Sequence, residues 1–170
     1  MRKLRLLIEE KCNRNCEGCC NKDFDLKNLP VERNFSQYQE IILTGGEPFL
    51  DIQNIVEHIL FIKKKNKKAK IILYTAKYSK TIPMFLKYYI DGITVTLHEQ
   101  NDIEGFFELN DLLNSLKWDC LKEKSFRLNV FSGIDLGDWD NQFWNIKDNI
   151  VWIKDCPLPD GESFMRSSLI

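Results

Sequence analysis

The chain has 170 residues, in which 24 lysines and arginines almost cancel 25 aspartates and glutamates. That balance sets up no global field toward nucleic acid or an anionic membrane, and no stretch approaches the roughly 18 consecutive apolar residues of a membrane span. The length fits one domain over residues 1–170 with a sizeable core, and falls short of a full eight-fold barrel, which takes about 200 residues or more. With no charged-then-apolar leader, the expectation is a cytoplasmic protein whose cysteines serve metal binding or catalysis rather than disulfides.

An apolar run over residues 4–9 reads as a first strand and ends just before Cys12, Cys16 and Cys19, a CxxxCxxC spacing. Three thiolates this close converge on one point when the backbone wraps around a metal or an iron–sulfur cluster. Four-iron clusters usually take four cysteines, so three ligands leave one iron open, as a catalytic cluster requires. Cys20 diverges from its neighbour Cys19 and is not expected to join them. Two alternatives stay open. A structural zinc site would draw on the isolated Cys120 or Cys156, and a thioredoxin-like dithiol of Cys16 and Cys19 would leave Cys12 unexplained.

Residues 20–39 are mostly polar and contain Pro30, so a loop with a helical turn is expected where a barrel would carry its first full helix. A second strand, 40–43, leads into Thr44-Gly45-Gly46-Glu47-Pro48. Paired glycines at a strand end let backbone approach a ligand, Glu47 offers an acceptor for an ammonium group, and Pro48 suits a helix start. By itself this is equally a tight turn. Apolar residues from Ile52 to Leu60 recur at helical spacing, followed by a lysine run from Lys63 to Lys70. Lysines at a helix C-terminus complement its dipole, so nucleic acid is not the expected partner.

A third strand is expected at 71–74, a short helix at 82–90 with Pro83 in its first turn, and a fourth strand at 93–97 running into His98. Asn101 and Glu104 form a candidate capping pair for a helix burying Phe106, Leu109 and Leu113. A fifth strand, 126–131, puts Arg127 and Asn129 on one side, facing either a cofactor or solvent. Trp139, Phe143 and Ile146 at i, i+4 and i+7 suggest a short helix, and 150–153 reads as a sixth strand before Cys156. Strands alternating with helices indicate parallel βα units and an α/β fold, an open partial (β/α)6 barrel of TIM type with both motifs at C-terminal strand ends.

The two motifs together resemble the radical S-adenosylmethionine (SAM) superfamily. Cys12, Cys16 and Cys19 match its cluster motif, and Gly45, Gly46 and Glu47 match its motif for the SAM amino group. The residue before the third cysteine, often aromatic in that superfamily, is Gly18 here. In this, and in Asn21 two residues after the third cysteine, the loop is similar to that of the activating enzymes of anaerobic ribonucleotide reductase. The resemblance implies a [4Fe-4S] cluster and SAM as cofactors, with Thr44, Thr96, His98 and Asn129 as further SAM contacts. It implies reductive cleavage of SAM to a 5′-deoxyadenosyl radical that abstracts hydrogen, and an external electron donor such as flavodoxin or ferredoxin. The expected substrate is a protein, a glycyl-radical enzyme to be activated. The alternatives are a small molecule or peptide substrate, and a non-catalytic iron–sulfur module that senses redox state. The stretch after Pro157, with Glu162, Arg166 and Ser167, carries no assignable role.

Overall fold

The computed structural model describes residues 2–116 and 121–170. The chain is α/β and groups into two compact units, residues 1–73 with 152–170, and residues 74–151.

The first unit is built on β1 (Lys3–Glu9), β2 (Val31–Glu32), β3 (Glu40–Gly45), the opening residues of β4 (Lys70–Thr75) and β8 (Glu162–Ser167). They lie in the order β2-β8-β1-β3-β4, with parallel pairing throughout. Parallel strands covered on both faces read as continuous apolar runs, and Leu4, Leu6, Leu7, Ile8, Ile41, Ile42, Leu43, Ile71 and Leu73 are all buried. The helix α1 (Ile52–Lys65) crosses from β3 to β4 and buries Ile55, His58, Ile59 and Ile62. Its start is fixed twice. Pro48–Leu50 forms a 3-10 turn capped by Glu47, and the Asp51 carboxylate then accepts from Asn54 N at 3.0 Å. Its end is fixed by Asn66, whose amide donates to Phe35 O and Tyr38 O, both at 2.9 Å, and accepts from Lys68 N and Ala69 N. The basic run belongs to this helix end, with Lys63, Lys64 and Lys65 in the last turn and Lys63 Nζ on Ala69 O at 2.8 Å.

Residues 20–39 hold three 3-10 turns, Cys20–Lys22, Leu26–Asn28 and Phe35–Gln37, and also β2, a strand the polar composition concealed. What makes β2 stable is one carboxylate. Glu32 is nearly buried and accepts from Tyr38 Oη at 2.6 Å, Arg33 N at 2.8 Å and Asn34 N at 2.7 Å. Burial, and then the Glu32 carboxylate, push the Tyr38 phenol up to about 12. The terminal stretch without an assignable role is β8, inserted between β1 and β2 and anchored by Phe164 edge-on to Phe24 at 5.0 Å.

The second unit holds α2 (Ile82–Tyr88), β5 (Gly92–Leu97), α3 (Asp102–Asn114), β6 (Ser125–Phe131) and β7 (Asn145–Ile150), with β5, β6 and β7 in parallel register. Three expectations are corrected here. Asn101 makes no capping bond; the Asp102 carboxylate accepts from His98 N at 2.7 Å and Glu99 N at 3.2 Å, tying the end of β5 to the start of α3. No helix forms around Trp139, Phe143 and Ile146. Asn141 binds Trp144 N and Trp144 O, both at 2.8 Å, and this local bonding competes with helical bonding. The aromatic spacing marks core contacts instead, Trp139 on Phe106 and Phe143 on Phe126. The expected sixth strand at 150–153 lies earlier, at β7, and Val151, Trp152 and Ile153 beyond it are exposed.

Candidate functional site

The site begins where β1 and β3 end side by side. Parallel pairing brings Leu7 opposite Thr44 and, past an irregularity, Glu9 opposite Gly45. Both strands therefore deliver their C-terminal ends to one place, the cysteine loop from the first and the glycine turn from the second. The turn is stitched to the loop on both sides. Gly46 N donates to Glu9 O at 2.6 Å and Glu47 N to Lys11 O at 2.8 Å, ahead of the first cysteine. Asn21 Nδ2 donates to Gly45 O at 2.6 Å, just past the third. A Cβ on Gly45 or Gly46 would overlap the carbonyl of Glu9 or Lys11, and Gly45 has φ of 146°. The expected close approach at the glycine pair is thus made by the protein's own backbone.

Glu47 is 2% exposed, and its Oε1 accepts from Phe49 N at 3.0 Å.

Within the loop, Cys12 is exposed, Cys16 and Cys19 are half-buried, and all three thiols are free. Arg14 N donates to Cys12 Sγ at 3.4 Å, and Lys22 Nζ donates to Cys16 O at 2.6 Å. Burial pushes the Cys16 thiol above its ordinary range, Cys19 and Cys12 push it further, and Arg14 pulls the other way. The Cys16 sulfur therefore senses the charge of the other two. Among the described residues no three His, Cys, Asp or Glu side chains are close enough together to hold a metal ion. The donor set itself, three free thiols on one loop closed at both ends, suits an iron–sulfur cluster or another thiophilic metal.

Cys20 and Cys156 form a disulfide, which overturns the expectation that the cysteines avoid such pairing. The partners are 136 residues apart in sequence, beyond the reach of any local pattern. Sequence reasoning also missed Trp152. Its ring lies against Gly18 so closely that a Cβ there would overlap it, and Gly18 is therefore glycine to admit an aromatic from a distant segment. Asn21, noticed as a point of likeness, gains a physical role as the tie to Gly45. Cys120 lies outside the described residues.

Thr96, His98 and Asn129 belong to the second unit. Thr96 and Asn129 are register partners on β5 and β6, and Asn129 Nδ2 donates to Thr96 Oγ1 at 3.3 Å. Strand β6 alternates, with Phe126, Leu128 and Val130 buried and Arg127 and Asn129 half-exposed on the other face. His98 follows β5 and stacks against Phe131 at 4.9 Å.

No helix among the described residues is long and apolar enough to cross a membrane. Compared with known protein families and with curated proteins, the chain matches no family model and no curated relative.

Proposed function

We propose that this chain is a radical SAM enzyme on an open, barrel-like α/β fold, in which Cys12, Cys16 and Cys19 hold a [4Fe-4S] cluster and the turn from Thr44 to Glu47 receives SAM. The observation that carries this reading is the double stitch between the two motifs, Gly46 and Glu47 to residues 9–11 and Asn21 to Gly45. Two motifs bonded into one surface act on one ligand set. When bound, the cluster and SAM supply one-electron cleavage to methionine and a hydrogen-abstracting deoxyadenosyl radical. The chain's own residues do the rest. The raised Cys16 thiol keeps its proton until metal displaces it, so loading releases protons. Glu47 is the acidic side chain that would meet the SAM ammonium group, and its bond to Phe49 N orients it. The substrate favoured by the loop's likeness is a glycyl-radical enzyme.

The test is anaerobic reconstitution followed by iron and sulfide analysis, then SAM with dithionite and assay for 5′-deoxyadenosine. About four irons per chain and deoxyadenosine formation are expected. Cys12→Ala, Cys16→Ala or Cys19→Ala should each lose the cluster, whereas Glu47→Ala should keep it and bind SAM more weakly. Zinc in place of iron would defeat the reading. A glycyl radical appearing on an added partner protein separates the protein substrate from a small molecule or peptide. A redox-sensing module is the second reading, favoured by the disulfide beside the loop; it predicts a cluster that cycles between redox states and yields no deoxyadenosine.

A further inference from the structure

The segment that follows β7, residues 152–157, has no regular secondary structure, yet it is held against the cysteine loop at two points. Trp152 lies on Gly18, between Cys16 and Cys19. Cys156 is bonded to Cys20, the immediate neighbour of Cys19. Ile153, Lys154, Asp155 and Pro157 are exposed, and the backbone bond from Cys156 N to Ile153 O is long at 3.4 Å. Asp155 and Cys156 have φ of 63° and 33°, a left-handed conformation that residues with side chains adopt at a cost. The Cys20–Cys156 bond is a covalent tie on this strained, largely exposed segment.

We infer that Cys20–Cys156 is a reversible thiol–disulfide site that controls access to the three-cysteine loop. Oxidised, it holds Trp152 over Gly18 and keeps Cys16 and Cys19 half-covered. Its reductant is a dithiol. The dithiol gives two electrons and two protons, the Cys20–Cys156 bond breaks into two thiols, and the dithiol leaves as its own disulfide. The freed segment relaxes from its left-handed turn, Trp152 lifts from Gly18, and the loop can close around a metal. The inference does not depend on which metal or reaction the loop serves.

The experiment uses the full chain, oxidised, or reduced with dithiothreitol that is then removed anaerobically. A short iodoacetamide pulse follows, read cysteine by cysteine by mass spectrometry. The oxidised protein should yield a peptide linking Cys20 to Cys156. Alkylation of Cys16 and Cys19 should rise about tenfold on reduction, as local opening replaces a closed state. Cys12, already exposed, is the internal reference and should not change. Cys156→Ser should alkylate fast at Cys16 and Cys19 without reductant and gain nothing from it. Trp152→Ala should speed Cys19 with the disulfide intact, which separates the indole cover from the covalent link. Equal rates at Cys16 and Cys19 in the oxidised and reduced wild-type protein would overturn the inference, as would a missing linked peptide. So would acceleration at Cys12 in step with the others, the mark of general unfolding. Should Cys156→Ser fail to fold, the wild-type comparison decides alone.

Discussion

Gly45 carries two demands at once, a backbone angle that residues with a Cβ rarely adopt and a carbonyl of Glu9 in the space that a Cβ would fill. Neither can be relieved by a side chain moving aside, because the obstacle is backbone. Gly45→Ala should therefore cost about 2–4 kcal/mol, from strain and from the broken stitch to residues 9–11. Urea unfolding reads that cost, and an unchanged midpoint would mean that the turn is not held as described. At this scale the sequence was informative where the signal is a close-set pattern, and the three cysteines and the glycine pair are such patterns. It was silent where the partner is remote. Nothing near Gly18 announces Trp152, and nothing near Cys20 announces Cys156, because contacts between distant segments leave no period in the chain.

Elements were legible in proportion to their burial. The strands β3 and β4 each hold an unbroken apolar run, β1 one interrupted by Arg5 and β5 one alternating with threonine, and α1 repeats its apolar residues every three or four positions, so each was readable. By contrast β7 reads Asn-Ile-Lys-Asp-Asn-Ile and stays largely exposed, and β2 is two residues long, so neither carries a strand signature. Inside α1, His58 is fully buried with Nδ1 against Asn54 O at 2.7 Å, which requires Nδ1 to carry the proton. Its Nε2 is buried without a hydrogen-bond partner. Burial lowers its pKa from the ordinary 6.5, against smaller raising effects from Asn54 and Glu57. The unfolded chain then binds a proton that the folded chain refuses, so stability is complete above pH 6.5 and is lost as pH falls from there through the folded-state pKa. Unfolding midpoints at pH 7 and pH 5 should differ in that direction, and His58→Gln should narrow the difference. An equal pH dependence in the variant would remove His58 as its source.

At the scale of the molecule, the parallel α/β character followed from strands alternating with helices, but the strand count did not. Among the described residues eight strands replace the six expected, because β2 and β8 are too short or too polar to stand out. The more consequential fact is their order. The second unit is an insertion between residues 73 and 152, and β8, which follows it, enters between β2 and β1. A chain ending at Val151 would lack β8, Trp152 and Cys156 together. Amide hydrogen exchange over residues 2–73 should lose its protection, whereas protected amides there would show that the first unit stands without its last strand. The same order has a consequence in time. A ribosome releases β1 and the cysteine loop before the inserted unit, and Trp152 and Cys156 only after that whole unit has emerged. Until then Gly18 lacks the indole that packs on it and Cys20 lacks its disulfide partner. The Cys20–Cys156 bond therefore forms only after the inserted unit has been made, and an oxidant that meets the nascent chain earlier finds Cys20 without that partner.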